Sequence, residues 1–466
     1  MHVHVLGICG TFMGGVAQLA AARGDRVTGS DAGVYPPMSD QLAAAGIEVT
    51  EGWDPAQLDP APDLVVIGNA LSRGNPAVEA VLDRGLPYTS GPAWLREQVL
   101  RGRHVIAVAG THGKTTTASM IAHILVVHGG DPGYLIGGVP ENPPAGQPQG
   151  LGLSARAGAG ETFVIEADEY DSAFFDKRSK FVHYAPHTLV LNNLEFDHAD
   201  IFDDLPAIQR QFHHLVRTVP GAGRILSNAA EPALDEVLAM GCWTPVARFA
   251  PDQGDQDWWA EDVAADGSVF TVRGPGREHG RIAWSQIGAH NVSNALAAVA
   301  AVHHAGVPVA AACAALSSFQ GVRRRLQQRG QPRGITVYDD FAHHPTAVAT
   351  TLAGLRARVG QARIIAALDL ASRSMRMGVH GGGLAESLAV ADRVLLHAGG
   401  EIEWDPATVV AALGERAALF EDSGALAEAI AHEARPGDHV ILMSNGGFGG
   451  LPQRLVERLE AAGESE

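Results

Sequence analysis

A short glycine- and threonine-rich segment constrains this chain more than any other feature. It reads Gly110-Thr-His-Gly-Lys-Thr-Thr116 and lies between the apolar run His104–Ala109 and a helix predicted over 115–128. Such strand–loop–helix segments bind phosphate through backbone amides and the helix N-terminus. Lys114 would then neutralise the β- and γ-phosphates, and the Thr115 hydroxyl would reach Mg²⁺. The sequence therefore predicts an ATP site in a parallel α/β unit.

The length and the strand pattern predict three such units. The chain has 466 residues, and domains commonly have about 100–200. Short apolar strands alternate with helical stretches three times in succession, which is typical of parallel sheets. Gly91-Pro92 suggests a boundary near residue 100. The predicted fold class is α/β with three domains, at residues 1–100, 101–322 and 323–466.

Charge and composition exclude several kinds of partner. The formal charge of −18 argues against a nucleic-acid or membrane-surface protein, because no basic excess offsets a phosphate field. No apolar run reaches the roughly 18 residues of a membrane span, and the N-terminus has no leader-like pattern. The three cysteines are far apart, which favours reduced thiols and a cytoplasmic location. Only Lys114, Lys177 and Lys180 are lysines, whereas the other 31 of the 34 basic residues are arginines.

Two further residues stand where metal ligands of a phosphate-loop site are expected. Glu166 ends the apolar strand in TFVIEADEYD, and His198 follows a second strand in LVLNNLEFDHAD. Each residue alone is weak evidence, because strand ends often carry solvated acids and single histidines are often structural. Together with Thr115 they predict a Mg²⁺ site next to the nucleotide.

The ordered motifs resemble those of the Mur ligases along essentially the whole chain. These motifs are GTHGKTT, EADEYDSAF, NNLEFDH, GAHNVSNALAA (288–298), FQGVRRR (319–325) and YDDFAHHP (338–345). The resemblance implies a Rossmann-like N-terminal domain for a UDP-sugar, a central P-loop ATPase, and a Rossmann-like C-terminal domain that brings an amine. It also implies an acyl-phosphate mechanism with ATP and Mg²⁺, and Lys114, Glu166, His198 and Arg325 as the catalytic group.

Individual roles follow from the matching motifs. For Asn294, a water-facing side chain within a helix remains an alternative to a nucleotide contact. The resemblance assigns to ATP the residues Gly110, Thr111, His112, Gly113, Lys114, Thr115, Thr116, His290, Asn291, Asn294, Arg325, Asp340 and His344, and to the metal Thr115, Glu166 and His198.

The N-terminal loop Gly7–Gly15 is typical of a diphosphate site, because it follows a strand and opens a helix. It lacks the G-x-G-x-x-G spacing, so nicotinamide binding is not expected. The resemblance implies UDP-N-acetylmuramate as the ligand. The residues assigned to that UDP-sugar are Gly10, Thr11, Phe12, Met13, Ser30, Asp31, Asn69 and Asn193.

Several segments favour one acceptor amine over another. HVLGICGTFMGG, GNALSRGNP (68–76) and YTSGPAWL (88–95) resemble family members that add the tripeptide L-alanyl-γ-D-glutamyl-meso-diaminopimelate during peptidoglycan recycling. In ALDLASRSMRMG (367–378), Ser372, Arg373 and Arg376 are the expected peptide contacts, although Ala371 replaces the usual arginine. A solvated loop remains an alternative for both arginines.

One departure from the family separates this chain from many members. Several Mur ligases carry a carbamylated lysine about fifteen residues after the metal histidine, where this chain has His213, and no lysine follows Lys180. The chain therefore matches the subset without that lysine.

Four other functions are alternatives to a tripeptide-adding ligase. An L-alanine-adding ligase is the main alternative, and a folylpolyglutamate-synthase-like ligase is disfavoured by residues 1–100. A Rossmann oxidoreductase is disfavoured by Lys114-Thr115, and a nucleotide-dependent switch has little support. We expect a monomer or weak homo-oligomer.

Overall fold

The computed structural model describes residues 1–35, 38–141, 151–197, 199, 201–379 and 381–463. Within them the chain forms three successive α/β units, each built on its own largely parallel sheet. The α/β class with three domains, predicted from the sequence, is confirmed. The boundaries at residues 100 and 322 stay a prediction, and each main sheet falls inside one of the three predicted ranges.

The first unit is a five-stranded parallel sheet with the Rossmann-like spatial order third, second, first, fourth, fifth. This order places the loop after the first strand where the direction of winding reverses, which is where such sheets bind ligands. The strands are His2–Leu6, Arg26–Asp31, Glu48–Glu51, Leu64–Ile67 and Tyr88–Ser90, and the helices are Thr11–Ala22, Met38–Ala44, Pro76–Asp83 and Gly91–Leu95, with helical turns at Pro55–Leu58 and Arg96–Leu100.

The second unit places the phosphate loop between two parallel neighbours. Strand His104–Ala109 lies between Thr162–Ala167 and Thr188–Leu191, with Val108 beside Glu166. In spatial order the seven strands are Val246–Phe249, Arg224–Asn228, Thr188–Leu191, His104–Ala109, Thr162–Ala167, Gly133–Leu135 and Ala155–Arg156, of which the last is antiparallel. The helices are Lys114–Val127, Leu205–Val216, Pro232–Ala239, Ala289–His304 and Val309–Leu316, with turns at Lys180–His183 and Pro275–Arg277.

Two smaller antiparallel sheets accompany the central unit. One is the hairpin Asp171–Ala173 with Asp176–Ser179, and the other contains Trp259–Glu261, Val269–Arg273 and His279–Ala283.

The third unit is a six-stranded sheet in which one edge strand is antiparallel. In spatial order the strands are Gln327–Gly330, Thr336–Asp340, His439–Met443, Ile364–Asp369, Arg393–His397 and Ala417–Phe420. The helices are Pro345–Val359, Arg373–Arg376, Gly381–Ser387, Ala407–Leu413, Ser423–Glu433 and Leu451–Gly463, with turns at Pro332–Gly334, Gly414–Arg416 and Phe448–Gly450. Apolar clusters cover both faces of this sheet.

The first two units share a continuous apolar core. Helix Thr11–Ala22 packs directly against the edge of the central sheet, and a methyl group added at Gly15 would lie 2.2 Å from Leu135 Cδ1. From the other side, the hairpin places the Phe175 ring 5.0 Å from the Tyr88 ring. These contacts fix the N-terminal loop relative to the phosphate loop. None of the described helices is long and apolar enough to cross a bilayer.

Candidate active site

The phosphate loop turns sharply into its helix at Gly113. This residue has φ +76°, and a methyl group added there would lie 2.6 Å from Asn294 Oδ1. Glycine is therefore required both by the left-handed backbone and by the close approach of helix Ala289–His304. The turn leaves the first backbone N–H groups of helix Lys114–Val127 without a side-chain cap, which is the arrangement that binds phosphate.

A chain of amides ties this loop to the neighbouring helix. Asn192 Nδ2 donates to Asn294 Oδ1 (3.1 Å) and to Thr117 Oγ1 (3.0 Å), and Asn294 Nδ2 donates to Asn291 Oδ1 (3.3 Å). Asn294 is 6% exposed, so the alternative in which its side chain faces water is wrong. Asn291 Nδ2 in turn donates to the Ile287 carbonyl. Asn291 and Asn294, two of the residues predicted to bind ATP, thus form one hydrogen-bonded network with the loop.

Lys114 points into the loop and pairs with an acid that the sequence analysis did not single out. Its Nζ donates to the Gly110 carbonyl (2.6 Å) and lies 3.2 Å from Glu169 Oε2. Burial lowers the pKa of Lys114, but the carboxylates of Glu169, Glu166 and Asp168 outweigh it and leave the pKa raised. Lys114 is therefore a firmly charged cation where phosphates are expected.

Thr115 and Glu166 are the two predicted metal ligands that the structure describes. Arg325 Nη2 lies 3.4 Å from Thr115 Oγ1, and Glu166 Oε2 accepts the Gly137 N–H at 2.7 Å. A hydroxyl and a carboxylate are the hard oxygen donors that Mg²⁺ prefers, so these two residues fit the predicted metal. His198 lies outside the described residues.

The third unit contributes Asp340, a buried carboxylate close to Arg325. Asp340 accepts the backbone N–H groups of Leu326 (2.6 Å) and Ala342 (2.7 Å). Burial raises the pKa of Asp340, and the nearby Arg325 opposes that rise. The Arg325 guanidinium also lies 4.7 Å from the centre of the Phe341 ring. Asp340 therefore holds the loop that carries Arg325. These contacts are those of a positioning residue next to the predicted nucleotide site.

A second contact between units joins His112 and His344 through an acid. Glu195 Oε2 lies 3.3 Å from His112 Nε2 and 3.4 Å from His344 Nδ1, and it accepts the Thr346 hydroxyl at 2.8 Å. Burial raises the pKa of Glu195, but these partners outweigh it and the pKa is lowered. Ligand-type atoms of His112, Glu195 and His344 all lie within 4.8 Å of one another, so this trio also has the composition of a cation site.

His290 supplies a neutral ring beside the nucleotide site. Burial, followed by the charge of Arg325, lowers its pKa to about 4. Its Nδ1 is buried and has no hydrogen-bond partner among the residues that the structure describes. The imidazole is therefore neutral at pH 7 and offers an unused polar atom, as a base-binding residue would.

Comparisons with known proteins match each of the three units. "Mur ligase family, catalytic domain" matches residues 2–103, "Mur ligase middle domain" matches 108–302, and "Mur ligase, glutamate ligase domain" matches 324–446. The Escherichia coli (strain K12) protein named UDP-N-acetylmuramate--L-alanyl-gamma-D-glutamyl-meso-2,6-diaminoheptandioate ligase is 54% identical over 466 residues, which is 100% of both chains. The chain belongs to the Mur ligase family.

Two further relatives show how this Mur ligase stands among its neighbours. A murein peptide ligase from Psychrobacter arcticus, whose crystal structure is known, is 48% identical in sequence to this chain. The two structures superpose with a TM-score of 0.78 over 99% of both chains. The UDP-N-acetylmuramate--L-alanine ligase of Acidothermus cellulolyticus is 35% identical, covering 97% of this chain and 94% of that one. Like other members of the family, the protein is an ATP-dependent ligase enzyme.

The N-terminal loop of this Mur ligase is shaped by Asp31. Its carboxylate accepts the backbone N–H groups of Cys9 (2.9 Å) and Gly33 (3.3 Å), so part of its hydrogen-bonding capacity is used inside the loop. Gly10 begins helix Thr11–Ala22 without a side-chain cap, which leaves amides for an anion. The Met13 side chain is buried in the core, and only its backbone can face a ligand.

Three other UDP-sugar predictions lie in different surroundings. Ser30 is fully buried, and its hydroxyl has no partner among the described residues. Asn69 follows strand Leu64–Ile67 at the same edge as the N-terminal loop. Asn193 binds the phosphate loop instead, because its side chain accepts the His112 N–H at 2.7 Å and donates to the His112 carbonyl at 3.1 Å.

The predicted peptide segment of this Mur ligase faces the central unit. Ser374 Oγ donates to Asp197 Oδ1 at 3.0 Å, beside the predicted metal ligand His198. The Ser372 hydroxyl accepts the Met375 N–H and caps helix Arg373–Arg376, so it is committed to local structure. The Arg373 side chain is 63% exposed and lies 4.0 Å from Glu403.

His213, which stands at the sequence position expected for the carbamylated lysine, lies next to Trp243. Its ring lies 6.4 Å from that of Trp243, on helix Leu205–Val216.

Several residues that organise this site were not predicted. They all lie within or beside the motifs quoted above, and four of them have an acidic or amide side chain, which was the available signal; Thr346 gave no such signal. They are Glu169, Asn192, Glu195, Asp197 and Thr346.

Proposed function

We propose that this enzyme joins UDP-N-acetylmuramate to the tripeptide L-alanyl-γ-D-glutamyl-meso-diaminopimelate, which would return recycled peptide to peptidoglycan synthesis. One observation carries the proposal. Over essentially the whole chain, the protein is far more similar to a relative named for that reaction than to relatives named for adding L-alanine. The N-terminal segments quoted above favour the same acceptor.

The phosphate-side residues support activation of a carboxylate by ATP. The lactyl carboxylate would attack the γ-phosphate, and ADP would leave, giving an acyl phosphate. Lys114 and Arg325 are cations at this edge, and they would neutralise the charge that develops on the transferred group. Thr115, Glu166 and His198 would hold Mg²⁺, which supplies further charge neutralisation when bound.

The amine side supports delivery from the third unit. The peptide α-amine would attack the acyl carbon, and inorganic phosphate would leave from the tetrahedral intermediate. The Ser374–Asp197 hydrogen bond ties the segment 372–376 to the central unit, and the Thr346–Glu195 hydrogen bond joins the same two units. Such closure would exclude water from the acyl phosphate. We also propose a cytoplasmic location and a monomer or weak homo-oligomer.

Arg376 is the residue whose change should affect the peptide most selectively. A hydrogen bond to a charged group contributes about 1.5–3 kcal/mol, so Arg376→Ala should raise the KM for tripeptide about tenfold or more. The KM values for UDP-N-acetylmuramate and ATP should stay close to those of the wild type. Steady-state kinetics with each substrate varied in turn measures this.

Arg458→Ala is the matched control, because that arginine pairs with Glu428 in the same unit and is 49% exposed. Equal increases in all three KM values for Arg376→Ala would contradict a peptide-specific role. Absence of any tripeptide-dependent product with the wild type would contradict the proposed function itself.

A further inference from the structure

One buried lysine has no part in the chemistry described so far. Lys114 serves the phosphate loop, and Lys177 is 70% exposed and pairs with Asp171. The Lys180 side chain is only 8% exposed, in a chain whose other basic residues are almost all arginines. Burying an ammonium costs free energy unless its charge is compensated. The groups around Lys180 therefore indicate why this buried position carries a cation.

Lys180 lies at the junction of the first two units. Its Nζ is 3.3 Å from Asp168 Oδ2, 5.2 Å from the centre of the Phe12 ring and 5.6 Å from the Tyr170 ring. Phe12 belongs to the first turn of the helix that the N-terminal loop opens, and Asp168 stands two residues after Glu166. A single ammonium thus connects the predicted diphosphate loop with the phosphate-loop edge.

Among the residues that the structure describes, the groups around this ammonium do not use its full hydrogen-bonding capacity. An ammonium has three N–H donors, whereas one carboxylate at 3.3 Å accepts from it and the two rings offer only their π faces. Holding two units together would not require a charge, because well-packed apolar side chains do so at least as well as a buried ion pair.

Two more buried donors belong to, or directly follow, the elements that pack together at this junction. The Tyr184 hydroxyl and the Trp94 indole N–H have no partner among the described residues, and their side chains are at most 2% exposed. The turn Lys180–His183 packs on helix Gly91–Leu95, which carries Trp94. Burial, and then the charges of Asp168 and Glu166, raise the pKa of Tyr184, so its hydroxyl stays protonated near those carboxylates. The Lys180 ammonium, which has donor capacity to spare, is suited to an anion.

We propose that Lys180 binds an anionic group of the UDP-sugar and holds it between the two loops. The proposal rests on the proposed function, which supplies UDP-N-acetylmuramate as the substrate that must extend from one loop to the other. That molecule has two anionic groups that could meet the ammonium, its diphosphate and its lactyl carboxylate. Lys180 is then a substrate-binding residue at a position that no motif indicated.

The test measures equilibrium binding of UDP-N-acetylmuramate and of UDP-N-acetylglucosamine, which keeps the diphosphate but lacks the lactyl carboxylate. Lys180→Met removes the charge at similar size, and Lys180→Gln keeps a polar group without charge. Both should raise the Kd for UDP-N-acetylmuramate about tenfold to a hundredfold, with the KM for ATP nearly unchanged. Lys180→Arg should recover much of the binding, and Lys177→Met is the matched control.

Loss of binding for both UDP-sugars would assign the diphosphate to Lys180, whereas loss for UDP-N-acetylmuramate alone would assign the carboxylate. Either result supports the proposal. An unchanged Kd in a folded Lys180→Met or Lys180→Gln protein would overturn it and leave Lys180 as a structural cation between units. A wild-type protein that fails to bind UDP-N-acetylmuramate would instead contradict the proposed function.

Discussion

Lys114→Ala is expected to lower ligation by at least about a hundredfold, because single contacts that stabilise developing charge contribute on that scale. The ammonium is the cation held inside the phosphate loop, against the Gly110 carbonyl and Glu169. Its removal should leave the fold intact, since the loop is also held by Asn192, Asn193 and Asn294. Product formation under saturating substrates measures the loss, and a thermal unfolding curve checks the fold.

Lys177→Ala provides the comparison for Lys114, because Lys177 is exposed and lies outside the site. Near-normal turnover in a folded Lys114→Ala protein would show that the loop does not bind phosphate in the way described.

Glu166→Ala is expected to have the second large effect, a lower rate together with a higher Mg²⁺ requirement. The carboxylate lies close to the end of a central strand, its charge acts on Arg325, and Arg325 in turn contacts Thr115. Carboxylate and hydroxyl oxygens are the ligands that Mg²⁺ prefers. His198→Ala should shift the Mg²⁺ dependence in the same direction. The measurement is ligation rate against Mg²⁺ concentration at fixed ATP.

Glu161→Ala is the control for this titration, because Glu161 is exposed at the opposite end of the strand that carries Glu166. If the Mg²⁺ dependence of both site variants matches the wild type, Glu166 and His198 are structural residues.

The phosphate loop and its neighbours were predictable because their chemistry is local in sequence. A strand, a glycine-rich turn and a helix follow one another in a few residues, and Glu166 is brought to Val108 by the ordinary register of parallel strands. The same reasoning fails for contacts between units. Nothing in the sequence indicates that Ser374 reaches Asp197, or that Thr346 reaches Glu195.

The start of the first helix shows a different limit of prediction from sequence. The sequence favours a helix from Val16, because Gly14 and Gly15 are poor helix formers. The structure begins the helix at Thr11. Both glycines allow close packing there, since a methyl group at Gly15 would lie 2.2 Å from Leu135 Cδ1 and one at Gly14 would lie 2.2 Å from Met38 Sδ. Tertiary contact has overridden local propensity, and it has brought the predicted diphosphate loop against the central sheet.

Acceptor choice is tested most directly by a competition assay. The enzyme is supplied with UDP-N-acetylmuramate, ATP and Mg²⁺, together with equal concentrations of the tripeptide and of L-alanine, and both ligation products are quantified by mass spectrometry. We expect the UDP-N-acetylmuramoyl-tripeptide to be by far the major product. Equal or greater formation of UDP-N-acetylmuramoyl-L-alanine would contradict the tripeptide assignment, while leaving the protein a Mur ligase.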